Sequence, residues 1–219
     1  MQTGKLIVIE GGDSAGKATQ AGRLRERLLA EGHEVETLDF PQYDSNTFGQ
    51  LLRECLSGER GDFMNLDPRI TSTLYAADRF ESKKLIDSWL QAGKIVVLDR
   101  YTTSNMLHQG AKSGSEEELT ELLDWIQQIE YEVFGVPRPD TVVYLDVPAE
   151  VRLELSAKRQ RGDVAERHRA HQFAADAAGK AVAAAYGWTT IACMKGGTLR
   201  SIEDIHEEVY HQVTELIQT

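Results

Sequence analysis

With 219 residues, 41% of them hydrophobic and 27% charged, the chain can bury enough apolar surface for one core, which excludes wholesale disorder and suits a single domain over residues 1–219. Its formal net charge of -11 repels nucleic-acid backbones and anionic membranes, so a phosphate-bearing ligand must meet a local basic site, and small anions are expected rather than polymers. Cys55 and Cys193 are too few for a disulfide scaffold, and no apolar run nears the ~20 residues that span a bilayer. A cytoplasmic protein with neither nucleic-acid nor membrane partners is expected.

The first strand-like run, "KLIVIE", leads directly into "GGDSAGK" and then into "TQAGRLRERLLAEG", which has helical spacing and stops near Gly32. A glycine-rich turn between strand and helix can aim successive backbone N–H groups at one anion, and the helix N-terminus adds partial positive charge. Gly11, Gly16 and Lys17 fit the pattern G-x-x-x-x-G-K-[ST], but Ala18 stands where a hydroxyl would ligate Mg²⁺. Thr19 lies about 100° further round a helix and does not replace it without a shift in backbone register. Mg²⁺ keeps several waters in most nucleotide sites and can take another in place of the missing oxygen.

Further strands follow at "HEVETLDF", "KIVVLDR", "DTVVYLDV" and "WTTIAC", each separated from the last by helical periodicity. Strands alternating with helices predict a five-stranded parallel sheet covered on both faces. Asp99 and Arg100 fall at the C-terminal end of a buried strand, where open parallel sheets keep their ligand crevice. A carboxylate there can hold Mg²⁺ through water, and the arginine can grip an acceptor phosphate. In "SGSEEELTELLDWIQQIEYEVFG" the serines cap a helix whose Leu119, Leu122, Leu123, Ile126, Ile129 and Val133 share one face. "AKRQRGDVAERHRAHQ" is a basic patch in an acidic chain, and "SIED" opens a last helix with Ser201 and Asp204 as a capping box and a stripe of Ile202, Ile205, Val209, Val213 and Leu216.

Four motifs in order, "EGGDSAGKATQ", "FPQY", "LYAADRFES" and "DRYTTSN", followed by "GVPRPDTVVYLDVP", resemble the thymidylate kinase family over nearly the whole chain. The resemblance implies a P-loop NTPase-type three-layer α/β sandwich with a short lid near residues 158–171, a homodimer, and ATP-dependent, Mg²⁺-assisted phosphorylation of dTMP to dTDP. It places ATP on Gly11, Gly12, Asp13, Ser14, Ala15, Gly16, Lys17, Ala18 and Thr19. It places dTMP against Asp13, Phe40, Tyr43, Tyr75, Arg79, Arg100, Ser104, Asn105, His108 and Gln109, with Tyr75 stacked on the base and Arg79 at its carbonyl edge. Metal would be held by Asp13 and Asp99. His108 departs from the Tyr or Phe that the family often has beside the deoxyribose. The family carries an arginine either within the phosphate loop or in the lid; Ser14 rules out the first, leaving Arg159, Arg161, Arg167 and Arg169, with Arg159 and Arg161 joining Lys17, Asp13 and Arg100 as the catalytic set, and Asp163 and Glu166 to orient them. Two other readings stay open: a nucleotide-binding protein that has lost its chemistry, motivated by Ala18, and a deoxynucleoside kinase, for which Asp39 is the added candidate base.

Overall fold

The computed structural model describes residues 4–159 and 166–217. The elements run β1 (Lys5–Glu10), α1 (Lys17–Ala30), β2 (Val35–Asp39), α2 (Thr47–Leu56), α3 (Pro68–Gln91), β3 (Ile95–Asp99), α4 (Thr102–Gly110), α5 (Glu116–Gln127), β4 (Thr141–Asp146), α6 (Ala149–Arg159), α7 (Glu166–Ala185), β5 (Thr189–Ala192), β6 (Met194–Lys195), β7 (Thr198–Leu199) and α8 (Ile202–Ile217). β1 to β5 form one parallel sheet in the order β2-β3-β1-β4-β5. The five expected strands are all present. β6 and β7 add a short antiparallel hairpin that the sequence pattern did not suggest.

β1 lies at the centre, and its alternate side chains feed two cores. Ile7 and Ile9 pack with Leu24 and Leu28 of α1 and Val209 and Val213 of α8, whereas Leu6 and Val8 pack with Ile86 of α3 and with Phe40 and Tyr101. Burial on both faces is why the strand reads as a continuous apolar run. Because β1 has β3 on one side and β4 on the other, the connections diverge beside it, and the loop after β1 opens at the carboxyl ends of the strands, where such sheets bind ligands.

The expected capping holds where Ser115 Oγ accepts from Glu118 N at 3.1 Å and Ser201 Oγ accepts from Asp204 N at 3.0 Å. Two stripe positions do not. Ile202, the first residue of α8, is exposed, and so is Val133. The helix that continues from α5 changes to π winding over Gln128–Val133, with Phe134 N donating to Ile129 O at 2.9 Å. The wider turn rotates the end of the stripe, so Val133 faces out, while Glu130, four residues after Ile126, stays on the inward face and is buried.

Candidate functional site

The phosphate loop folds as its glycines require. Gly11 and Gly16 have φ of 150° and 95°, and Ser14 is held at 65°, the left-handed region that non-glycine residues seldom enter. Gly16 is the N-cap of α1 and supplies no side-chain cap, so the first amides of the helix stay open to an anion. Lys17 is buried and donates from Nζ to Gly11 O at 2.9 Å and Gly12 O at 2.8 Å. Burial, reinforced by the positive Arg100, draws its pKa down to about 8. Ala18 and Thr19 are both exposed on the first turn, so neither plugs the anion cradle.

Asp13 joins this loop to the far side of the cleft. Its carboxylate pairs with Arg100 and accepts from Gln172 Nε2 at 2.6 Å. Burial works against its ionisation, yet Arg100 foremost, with help from Lys17 and Gln172, holds the carboxyl well below the usual carboxylate range. Arg100, just past β3, has φ 66°, which turns its side chain back over the loop. Its other guanidinium nitrogen lies 3.2 Å from His108 Nε2. A guanidinium can only donate, so Nε2 accepts and the neutral imidazole carries its proton on Nδ1. Burial pulls the His108 pKa down to about 3. His108 also stacks on His171 of α7, with ring centroids 5.8 Å apart.

Glu10, the last residue of β1, is fully buried and ties the phosphate loop to α4. It accepts from Gly11 N at 2.9 Å, from Thr103 Oγ1 at 2.5 Å and from Ser104 Oγ at 2.8 Å. Next to it, Asp99 Oδ1 is buried without a hydrogen-bond partner, and burial raises the Asp99 pKa.

Between the loop, α2, α3 and α4 opens a cavity of about 370 Å³. Its wall includes Asp13, Phe40, Tyr43, Tyr75, Arg79, Arg100, Ser104, Asn105, His108 and Gln109, so all ten residues that the resemblance assigned to the acceptor come together on one surface. Phe40, Tyr43, Phe63 and Tyr75 give the cavity its aromatic lining; Phe63 and Tyr75 are tilted with ring centroids 6.1 Å apart, and Phe40 packs on the buried Tyr101 behind the wall at 5.9 Å. Arg79 does not pair with the neighbouring Asp78, which instead accepts from Gln42 N. It makes a two-pronged pair with Glu130, with Nε donating to Oε2 at 2.7 Å, and Glu130 also accepts from Asn105 Nδ2 at 2.8 Å. Thr71 Oγ1 donates to Gln109 Oε1 at 2.6 Å, which fixes that amide with its NH₂ available to the cavity.

Sequence reasoning missed Glu10, Glu130, Arg152 and Gln172. Glu10 carried a signal, since a carboxylate at the end of a buried strand demands partners; so did Glu130, which follows Ile126 by four residues and Leu123 by seven and therefore falls on the inward face of the helix. Of the lid candidates, Arg161 and Asp163 lie outside the described residues, as do the side chains of Arg159, Arg167 and Glu166, and Arg169 is exposed on α7. Asp39 is exposed at the end of β2, bonded to Gln42, and stands outside the cavity wall.

The family model for thymidylate kinase matches residues 9–209. The chain belongs to the thymidylate kinase family. It is 36% identical to the thymidylate kinase of Mycobacterium tuberculosis (strain ATCC 25618 / H37Rv) over 158 residues, covering 72% of this chain and 73% of that one. It is 36% identical to the Homo sapiens thymidylate kinase over 159 residues, covering 73% and 66% of the two chains. It is also similar to a probable thymidylate kinase of Pyrococcus abyssi (strain GE5 / Orsay), at 34% over 165 residues and 74% of each chain. As a member of this family the protein is an enzyme, a phosphotransferase, and its phosphate loop and facing cavity are the two halves that such an enzyme needs.

Proposed function

We propose that the protein transfers the γ-phosphate of ATP to dTMP, giving ADP and dTDP on the route to dTTP. The observation that carries this reading is the Asp13–Arg100 pair, which sets a cationic side chain between the anion cradle of the phosphate loop and an aromatic-lined cavity. The acceptor phosphate is already ionised near neutral pH, so no general base is required, and the exposed Asp39 is not needed as one. That distinguishes the reading from a deoxynucleoside kinase.

In this reading the open amides of α1 and Lys17 bind the donor phosphates, Arg100 binds the acceptor phosphate, and the two come into line across Asp13. Tyr75 and Phe40 flank the acceptor, and the free NH₂ of Gln109 together with Arg79 meets the carbonyl edge of the base. The remaining donors of Arg79 are held in place by Glu130. Phosphoryl transfer passes through a loose transition state with charge spread over the oxygens, so fixed cations do most of the catalytic work.

Mg²⁺ fits this site in part. The buried, unpartnered Oδ1 of Asp99 and the carboxylate of Asp13 are suitable hard oxygen donors, whereas Ala18 offers none, which leaves more of the coordination shell to water. When bound, the metal supplies charge neutralisation to the donor phosphates. The arginines of residues 158–171 are proposed to add further positive charge as a lid on a single domain. A homodimer is proposed through α3, which exposes Ile70, Phe80 and Leu85. Two buried free thiols, Cys55 and Cys193, suit the reducing cytoplasm, and among the described residues no helix is long and apolar enough to cross a membrane.

The test is product formation with ATP and Mg²⁺ against dTMP, dUMP, UMP and thymidine in parallel. Selective dTDP formation is expected; conversion of thymidine alone, or of nothing despite nucleotide binding, sinks the reading.

A further inference from the structure

Arg152 of α6 is one of the most deeply buried large side chains of the protein, 2% exposed, and it does not reach the cavity wall. A long cation buried away from any ligand needs a structural or positioning reason. Its Nε donates to Val147 O at 2.9 Å, which anchors it to the end of β4. One terminal nitrogen donates to Asp13 O at 3.3 Å and Gln172 Oε1 at 2.8 Å, and the other to Asp176 Oδ1 at 3.2 Å. The guanidinium lies directly under Gly12, where a Cβ would overlap it. The absence of a side chain at residue 12 therefore makes the space that Arg152 fills.

The partners of Arg152 belong to two bodies. Gly12 and Asp13 are in the phosphate loop; Gln172 and Asp176 are on α7, the helix that follows residues 160–165. Gln172 closes the circuit, because its amide accepts from Arg152 through Oε1 and donates through Nε2 to the Asp13 carboxylate. Asp13 is thus held at its backbone by Arg152 of α6 and at its side chain by Gln172 of α7, while its other carboxylate oxygen holds Arg100. α6 and α7 both run into residues 158–171, the segment read as the lid, and both are joined to Asp13 by one continuous set of hydrogen bonds.

We propose that Arg152 and Gln172 are positioning residues which couple α6 and α7 to Asp13, and through Asp13 set the position of Arg100 for the transfer. This rests on the kinase reading above. Neither residue contributes to the reaction by touching the transferred group in this role; their effect falls on the alignment of donor and acceptor, which appears in kcat rather than in uniform binding.

The experiment compares the full-length wild type with Arg152→Met and Gln172→Leu, which keep bulk and remove the polar circuit. Amide hydrogen exchange is followed by mass spectrometry, with steady-state kinetics on ATP and dTMP and a thermal melt for each variant. Both variants are expected to speed exchange in residues 10–20 about threefold or more, and to lower kcat about tenfold while both KM values stay within about threefold. A residue that only fills space would lower the melting temperature and leave kcat and loop exchange alone. Unchanged exchange in residues 10–20, or a loss confined to KM, overturns the coupling. If Arg152→Met does not fold, Gln172→Leu decides by itself. Failure of the wild type to form dTDP would sink the kinase reading separately, and loop exchange would still decide whether the circuit couples α7 to the phosphate loop.

Discussion

Arg79 and Glu130 face each other inside the protein, 2% and 0% exposed at their side chains, with two parallel hydrogen bonds between guanidinium and carboxylate. Asn105 bonds to the same carboxylate, so one acid orients two residues of the cavity wall. Glu130→Gln leaves the buried guanidinium without its counter-charge. Breaking a buried pair costs about 3–5 kcal/mol, and for a chain of this size each kcal/mol lowers Tm by roughly 2–4 °C. A fall of about 10 °C is expected by calorimetry. The double change Arg79→Met with Glu130→Met should recover much of that stability while leaving dTMP binding lost. Recovery of both would show that the pair serves packing alone.

That pair marks where the sequence could and could not be read. The run Leu6 to Ile9 with Gly11, Gly16 and Lys17 behind it was legible, because a strand buried on both faces and a glycine-dependent turn leave local patterns. The ten residues that the resemblance assigned to the acceptor were found through motif order and lie together on the cavity wall, although they come from α3, α4 and the loops between strands and helices. Glu130 was legible only as a carboxylate on the inward face of the helix, four residues after Ile126; its partner Arg79 comes from α3, which no local pattern along α5 reveals. Arg152 was hidden for a related reason: an arginine in an amphipathic helix reads as solvated, and only the empty space at Gly12 reveals otherwise. The β6–β7 hairpin has strands of two residues each, too short for alternation to register.

Arg100→Ala should remove activity and keep the fold. Arg100 sits beyond β3 and packs no core, and its partner Asp13 keeps the hydrogen bond from Gln172 Nε2 when the guanidinium is removed. Alanine is no worse than arginine at φ 66°, since both carry a Cβ. A loss of about 10²–10³ in kcat/KM is expected, the scale of removing one charge-stabilising donor, with Tm lowered by no more than about 3 °C. Turnover close to that of the wild type would remove Arg100 from the acceptor site.

His108 gives a pH dependence whose sign follows from its environment. Burial depresses its pKa from 6.5 to about 3, so between those values the unfolded chain takes up a proton that the folded protein refuses. Stability must fall as pH drops through that window, by up to about 1.4 kcal/mol per unit. At pH 5 this amounts to roughly 2 kcal/mol relative to a variant without a titrating group there. Asp13, with its depressed pKa, loses its contribution only at lower pH. Urea melts of wild type and His108→Gln at pH 7 and pH 5 check it: the variant should gain on the wild type at the lower pH, and parallel curves would contradict the buried neutral imidazole.

Ala18→Thr addresses the hydroxyl absent from the phosphate loop. Residue 18 is exposed on the first turn of α1, so a threonine there displaces nothing and costs only its helix propensity, about 0.5 kcal/mol. Asp99 presents a buried carboxylate oxygen with no partner close to the same loop. Should that oxygen serve Mg²⁺ beside Asp13, an added hydroxyl supplies a further protein contact, and the Mg²⁺ concentration giving half-maximal rate should fall by about tenfold, the order of one metal-orienting interaction. The melting temperature in the absence of metal should hardly change. Titrating Mg²⁺ at saturating ATP and dTMP separates two cases. A lower requirement in Ala18→Thr means that the native enzyme completes its metal shell with water. An unchanged requirement in that variant, together with a strong dependence on Asp99→Asn, would place the metal beyond reach of residue 18 and assign its binding to the strand end alone.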